Sequence, residues 1–273
     1  MPSTMQLLQE TVAFIRKKVS TEATTGIILG SGLGNLAGEI RIEAEIPYND
    51  IPHFPVSTVK GHKGSLIFGE LGGKKVWVMG GRFHFYEGYT AQEVAYPVRV
   101  MGLLGVNTLL LSNAAGGVNP AFKVGDLMII NDHISLFTVN PLLGKNDDEI
   151  GTRFPDMSEP YSKALINKAK EIAKANDILV HEGVYLGVTG PTFETRAEYK
   201  LIYILGGHAV GMSTVQETIA AVHSGMQVFA VSVITDLGIR EEENIITHEE
   251  VLQAAKDAEP KLTLLFTELL KTL

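Results

Sequence analysis

Apolar residues fall along this chain in two rhythms. Short, mostly apolar runs at 26–29, 65–71, 75–79, 108–112, 126–130, 184–189 and 227–235 predict strands. Between them, longer segments with apolar positions three and four apart predict helices over 4–18, 91–104, 159–175, 195–205, 214–224 and 248–271. Thr90 with Glu93, and Thr247 with Glu250, have the spacing of a capping box and mark two helix starts. Pro260 predicts a kink or an interruption in the last helix. Apolar strands alternating with helices imply an α/β fold: one domain over 1–273, with a mixed, largely parallel central sheet covered by helices on both faces. Two segments, 46–64 and 139–162, fit neither rhythm. Stretches of that length are either functional loops or surface excursions.

Composition narrows the function classes. The 273 residues are 45% hydrophobic and 20% charged, within the ordinary range of globular proteins. A formal net charge of −8 argues against a surface built to neutralise nucleic-acid phosphates or anionic lipid, so neither nucleic acid nor membrane is expected as a partner. Any bound anion must be held by a few local basic groups. The absence of cysteine excludes disulfides, thiolate nucleophiles and cysteine metal sites. None of the eight histidines falls in a metal-ligand spacing, so no metal is expected. The first residues lack the basic-then-apolar order of a signal peptide, and no apolar run approaches a membrane span. A cytoplasmic protein is the expectation.

Three strand ends carry the candidate chemistry. LGSGLGN (29–35) follows the first strand; its glycines suit a tight turn or a backbone cradle for an anion. It lacks the third glycine of a dinucleotide fingerprint, and no acidic residue on a second strand follows, which argues against a dehydrogenase. In RFHFYEGY (82–89), an extended chain would put Arg82, His84 and Tyr86 on one face and Phe83 and Phe85 on the other. Arg82 and His84 would make a small phosphate pocket, or else a water-facing hairpin. In LLLSNAAGGVNP (109–120), Asn113 and four small residues end a hydrophobic strand. Ligands in open α/β sheets bind beyond such carboxyl ends, and three of them imply one crevice. Farther on, Glu194 stands beside Phe193 where a strand gives way to a helix. Ser213 and Thr214 open another helix, as N-caps, an anion site, or both.

GSGLG, GHKGSLIFGE, RFHFYEGY, NAAGG, RFPDMS, GPTFET, VGMSTVQE and THEEVL, in this order from about residue 26 to residue 252, resemble the motifs of trimeric purine nucleoside phosphorylases. Members of that family cleave the glycosidic bond of purine nucleosides with inorganic phosphate, giving free base and ribose 1-phosphate. The resemblance implies a phosphate site of Ser31, His62, Arg82, His84, the backbone of Ala114, and Ser213. It implies a ribose site of Tyr86, Met212 and His248. Phe193 and Tyr185 would stack near the base, with Glu194 on its N1 edge. Thr235 and Asp236 would face the 6-position, and His84, Glu194 and Asp236 would carry the catalysis. Phe154 would reach a neighbouring subunit's site in a homotrimer. Phosphate is a co-substrate there, and no metal or organic cofactor is called for.

One position departs from the pattern. Members specific for 6-oxopurines carry Asn where this chain has Asp236. An amide can donate to O6, whereas an ionised carboxylate can only accept, which suits a 6-amino group. Glu194 points the other way, toward the N1–H of a 6-oxopurine. The expectation is that inosine and guanosine are substrates and that adenosine is accepted more readily than by Asn-bearing enzymes. Two rivals remain: a 5′-methylthioadenosine phosphorylase, whose adenine-recognising segment resembles Thr235-Asp236, and a nucleoside-binding protein without catalysis.

Overall fold

The computed structural model describes residues 3–31, 33–56, 58, 63–238 and 247–273. Helix α1 (Thr4–Lys18) leads into β1 (Thr25–Ile28), β2 (Arg41–Pro47), β3 (Ser65–Leu71) and β4 (Lys74–Met79). Helix α2 (Ala91–Leu103) precedes β5 (Thr108–Gly117) and β6 (Leu127–Ile134). Then come α3 (Lys163–Ala175), β7 (Val180–Gly187), α4 (Arg196–Ile204), β8 (Ala209–Gly211), α5 (Val215–His223), β9 (Gln227–Leu237) and α6 (His248–Lys271). All six expected helices and all seven expected strands are present; β2 and β8 are additions.

The sheet runs β2-β3-β4-β1-β5-β8-β7-β6-β9, and β9 pairs back onto β5, so β5, β8, β7, β6 and β9 close a ring with β1 to β4 as an attached wing. Five pairings are parallel, β1–β4, β1–β5, β5–β9, β6–β7 and β7–β8; the other four are antiparallel. Strands β5 and β9 run side by side from Thr108 opposite Gln227 to Gly117 opposite Leu237, with one register shift after Ala115. β1 accompanies β5 only as far as Leu111. Beyond that point β5 leaves the wing and enters the ring, and its polar end opens into the space where β1 and β4 stop.

Two misreadings have simple physical causes. β2 is an edge strand on which only Ile46 is buried, so it carries no apolar run. β8 is three residues long. Pro260 does not interrupt α6, which runs unbroken for 24 residues. Leu262, Leu265, Phe266, Leus 269 and 270 beyond it are all buried in the core. Burying one such side chain is worth roughly 1.5–3 kcal/mol, so together they outweigh the ~3 kcal/mol that an interior proline costs. Both expected capping boxes form, Thr90 with Glu93 and Thr247 with Glu250. No helix among the described residues is long and apolar enough to cross a membrane.

Candidate active site

A cavity opens where β4, β5, β8 and β9 end. Its inner end is built on charge. Arg82, 1% exposed, donates from Nε to Glu217 Oε1 at 3.0 Å and from a terminal nitrogen to the carbonyl of Ser112 at 2.5 Å. Glu217, also buried, is the third residue of α5, and its other oxygen accepts from the backbone N–H of Thr214 at 3.0 Å. One carboxylate therefore fixes both the guanidinium and the turn that presents Ser213. That turn is strained: Thr214 has φ 72° and ψ −44°, and Val215 N–H closes a three-residue ring onto Ser213 C=O at 2.7 Å. Asn113 Nδ2 ties the Thr214 hydroxyl to β5 at 2.9 Å. The first loop comes so near that a Cβ on Gly30 would stand 2.8 Å from Asn113 Cα. Glycine at 30 is thus required for close approach, and Ser31 is set on the cavity rim.

His84 sits beside this group. Its Nδ1 lies 3.0 Å from Glu87 Oε1, which also accepts from His84 backbone N–H at 2.8 Å. Burial pushes the imidazole below its ordinary pKa, against the pull of Glu87, so the ring is neutral near pH 7. With Glu87 as acceptor, the proton belongs on Nδ1. Burial alone would raise the Glu87 carboxyl, but hydrogen bonds from His84 and Thr58 outweigh it and bring it to about 2. Tyr86 stacks on His84 with centroids 4.6 Å apart, and burial raises its phenol to about 12. The extended alternation of RFHFYEGY holds only from Arg82 to His84. Residues Phe85–Glu87 turn into a 3₁₀ helix, so Phe83 joins the core while Phe85 stays half-buried.

The other end carries acids. Glu194, Tyr199, Thr235 and Asp236 line it, with Phe193, Met212, His248 and Val251 also on the cavity wall. Tyr199, on α4, donates to Asp236 Oδ2 at 3.1 Å. Thr235 Oγ1 donates to Asp236 Oδ1 at 3.0 Å. Burial, then the nearby charges of Asp236 and Glu198, raise the Glu194 carboxyl above its ordinary value. Burial, then the charges of Asp236 and Glu194, raise the Tyr199 phenol as well.

The family profile of the phosphorylase superfamily matches residues 24–271. The chain belongs to the phosphorylase superfamily. Purine nucleoside phosphorylase 1 of Geobacillus stearothermophilus is 51% identical over 249 residues, 91% of each chain. A Schistosoma purine nucleoside phosphorylase solved with hypoxanthine superposes with TM-score 0.94 at 42% identity, over all of this chain and 99% of that one. The Schistosoma mansoni enzyme solved with adenosine gives 0.93 at 43%, over 98% of each chain.

Of the residues expected from sequence, this superfamily member brings Ser31, Arg82, His84, Tyr86, Ala114, Phe193, Glu194, Met212, Ser213, Thr235, Asp236 and His248 to one cavity. Tyr185 is a correction. It lies on β7 behind the cavity wall, fully buried, and its hydroxyl accepts from the backbone N–H of Ser213 at 3.4 Å, so it braces the turn and cannot stack on a ligand. The N-cap of α5 is Thr214, and Ser213 lines the cavity with its hydroxyl 3.1 Å from that of Thr214. Phe154 is 85% exposed on the loop 139–162, apart from this chain's cavity, with Arg153 over its ring. His62 lies outside the described residues. Sequence reasoning missed Glu87, Tyr199 and Glu217. Capping-box spacing could have flagged Glu217, three residues after Thr214. Among the described residues, no group of three or more histidine or acidic side chains is placed to hold a metal ion.

Proposed function

We propose that this protein is a purine nucleoside phosphorylase, cleaving purine ribonucleosides and 2′-deoxyribonucleosides with inorganic phosphate to give free base and the pentose 1-phosphate. The observation that carries the reading is the division of one cavity into a buried end of hydrogen-bond donors, where Arg82 is fixed by Glu217 beside His84 and Ser213, and an acidic end of Glu194 and Asp236. A nucleoside has no use for the first end, and a phosphate has no use for the second. The names of the relatives and the purine ligands of the solved neighbours support the same reading.

The chemistry follows from the layout. Phosphate held by Ser31, Arg82, His84, the Ala114 backbone and Ser213 attacks C1′ as the C1′–N9 bond breaks. Fixing it beside the sugar removes the entropic cost of encounter. Its charge stabilises the oxocarbenium-like sugar, so no carboxylate nucleophile is needed. With the His84 proton committed to Glu87, Nε2 meets hydrogen phosphate as an acceptor for its P–O–H, rather than as a donor. Tyr86, Met212 and His248 flank the sugar, and Phe193 the base. Glu194 and Asp236 take the hydrogen-bonding edge of the base and stabilise the charge that builds on it as it leaves. Phosphate is a co-substrate, and no metal or organic cofactor enters this scheme.

Asp236 widens the base choice toward adenosine. Large exposed side chains, Leu136 at 77%, Ile204 at 78% and Phe154 at 85%, suit a surface covered by other copies. That supports assembly of several copies, which we read as a homotrimer in which Phe154 reaches a neighbouring site, in a cytoplasmic protein. The acidic 6-position also fits a 5′-methylthioadenosine phosphorylase, but His248 at the rim favours a 5′-hydroxyl over an apolar thioether. Incubation with inosine, guanosine, adenosine and methylthioadenosine, with and without phosphate, tests the proposal. Base release from inosine and guanosine that requires phosphate is expected. Release without phosphate would make the protein a hydrolase. A preference for methylthioadenosine would turn the reading to the rival, and no release would leave a binding protein.

A further inference from the structure

The turn before α5 joins two hydroxyls that a chain ordinarily keeps apart. Neighbouring side chains of an extended segment point to opposite faces, yet Ser213 Oγ and Thr214 Oγ1 stand 3.1 Å from one another. The strained backbone of Thr214, φ 72° and ψ −44°, accompanies that placement. A positive φ is a genuine outlier for a β-branched residue, and such strain persists only where the surroundings impose it. Here they do. Glu217 holds the Thr214 backbone N–H at 3.0 Å, and Asn113 of β5 holds its hydroxyl at 2.9 Å. Thr214, Asn113 and Glu217 are all buried.

These bonds have a direction. Asn113 Nδ2 can only donate, so Thr214 Oγ1 is the acceptor there and keeps its own proton for another oxygen. Ser213 Oγ is within its reach. A Ser213 hydroxyl that accepts from Thr214 has its own proton left to give to an anion in the cavity, which Ser213 lines with Arg82 and His84. We propose that Thr214 is a positioning residue for phosphate: with Asn113 it orients the Ser213 hydroxyl as a donor to the bound anion. In the opposite orientation Ser213 would spend its proton on Thr214 and meet the anion with lone pairs. This rests on the phosphorylase reading of the site.

The surroundings fit. Tyr185 stands behind the turn, where its hydroxyl takes the Ser213 backbone N–H at 3.4 Å. A phosphate oxygen is a stronger acceptor for the Ser213 proton than a neutral phenol, because the bond to it is charge-assisted. Successive hydrogen bonds in a buried chain polarise one another, so donation from Asn113 through Thr214 strengthens donation from Ser213. Glu217 links this relay to the guanidinium, since its other oxygen accepts from Arg82 Nε at 3.0 Å. The start of one helix thus sets two of the donors to the anion.

Phosphorolysis of inosine by the full-length protein at varied phosphate separates the hydroxyl of Thr214 from its shape. Thr214→Val keeps the branched shape and loses the hydroxyl. It should raise the phosphate KM at least about fivefold, with kcat at saturating phosphate within about threefold of native. Thr214→Ser keeps the hydroxyl and loses the methyl group, and should bring the phosphate KM back to within twofold of native. A merely structural Thr214 would reverse the two. In a Ser213→Ala background, Thr214→Val should move the phosphate KM less than twofold, because no hydroxyl is left to orient. Should Thr214→Val not fold, Asn113→Ala takes its place in the same pair of backgrounds, with the same split expected. An equal rise in both backgrounds, or a native phosphate KM in the Ser213 background, would overturn the relay while leaving the phosphorylase reading intact. Native protein that releases base without phosphate, or releases none, would overturn both.

Discussion

The two ends of the cavity are built on opposite principles. At the phosphate end every charge is committed inside the protein: Glu217 to Arg82 and the Thr214 backbone, Glu87 to His84. A buried ion pair contributes little net stability, but it fixes geometry, because removing one partner strands the other. The strained turn at Thr214 persists on the same terms, held from Glu217 and Asn113. At the other end Tyr199 donates to Asp236, Phe193 is 40% exposed, and His248 opens a helix at the surface. One end is locked by pairs inside the protein; the other presents two acids to the cavity.

Breaking the rigid end should cost most. Glu217→Ala strands Arg82 and removes the cap of α5, and is expected to lose about 3–5 kcal/mol in urea unfolding. Surviving folded enzyme should show a phosphate KM raised at least tenfold. A loss below ~1 kcal/mol would mean that the Arg82 pair does not organise this end. Gly238→Ala strikes the other end by driving a methyl group into Tyr199. Overpacking of this kind costs roughly 1–3 kcal/mol. It should lower kcat/KM for both inosine and adenosine and leave the phosphate KM within twofold; an equal rise in phosphate KM would erase the distinction between the ends. The smallest effect is a pH dependence. Glu87 has its carboxyl lowered from an ordinary value of 4.5 to about 2 in the fold, so its contribution is complete above about 4.5 and is lost as the pH falls toward 2. Native protein should therefore exceed Glu87→Gln in Tm at pH 6 by a margin that shrinks below pH 4.5. A constant margin would show that Glu87 acts by shape alone.

How much of this was legible follows from where each signal lives. Strand ends are local: Gly30, Asn113 and the small residues after it announce themselves in a few positions. The cap pairs Thr90–Glu93 and Thr247–Glu250 are equally local, and both form. Glu217 lies 135 residues from Arg82, and nothing in either neighbourhood specifies the pairing. Tyr199 reads as one more residue of an amphipathic helix. Its position between Glu194 and Asp236 comes from packing α4 against the end of β9. Tyr185 was assigned to the site by resemblance, and the inward face of β7 places it behind the wall instead. β2 escaped because an exposed edge strand has no apolar signature.

If base choice resides at one end of the cavity, it can change without disturbing the other. Asp236→Asn tests it most directly, through kcat/KM for inosine and adenosine and the KM for phosphate. The amide can donate to O6 whatever the protonation of Glu194. The inosine-to-adenosine ratio should therefore rise at least tenfold, with the phosphate KM within twofold of native. An unchanged ratio would remove Asp236 from base recognition, and a shifted phosphate KM would show that the two ends are one.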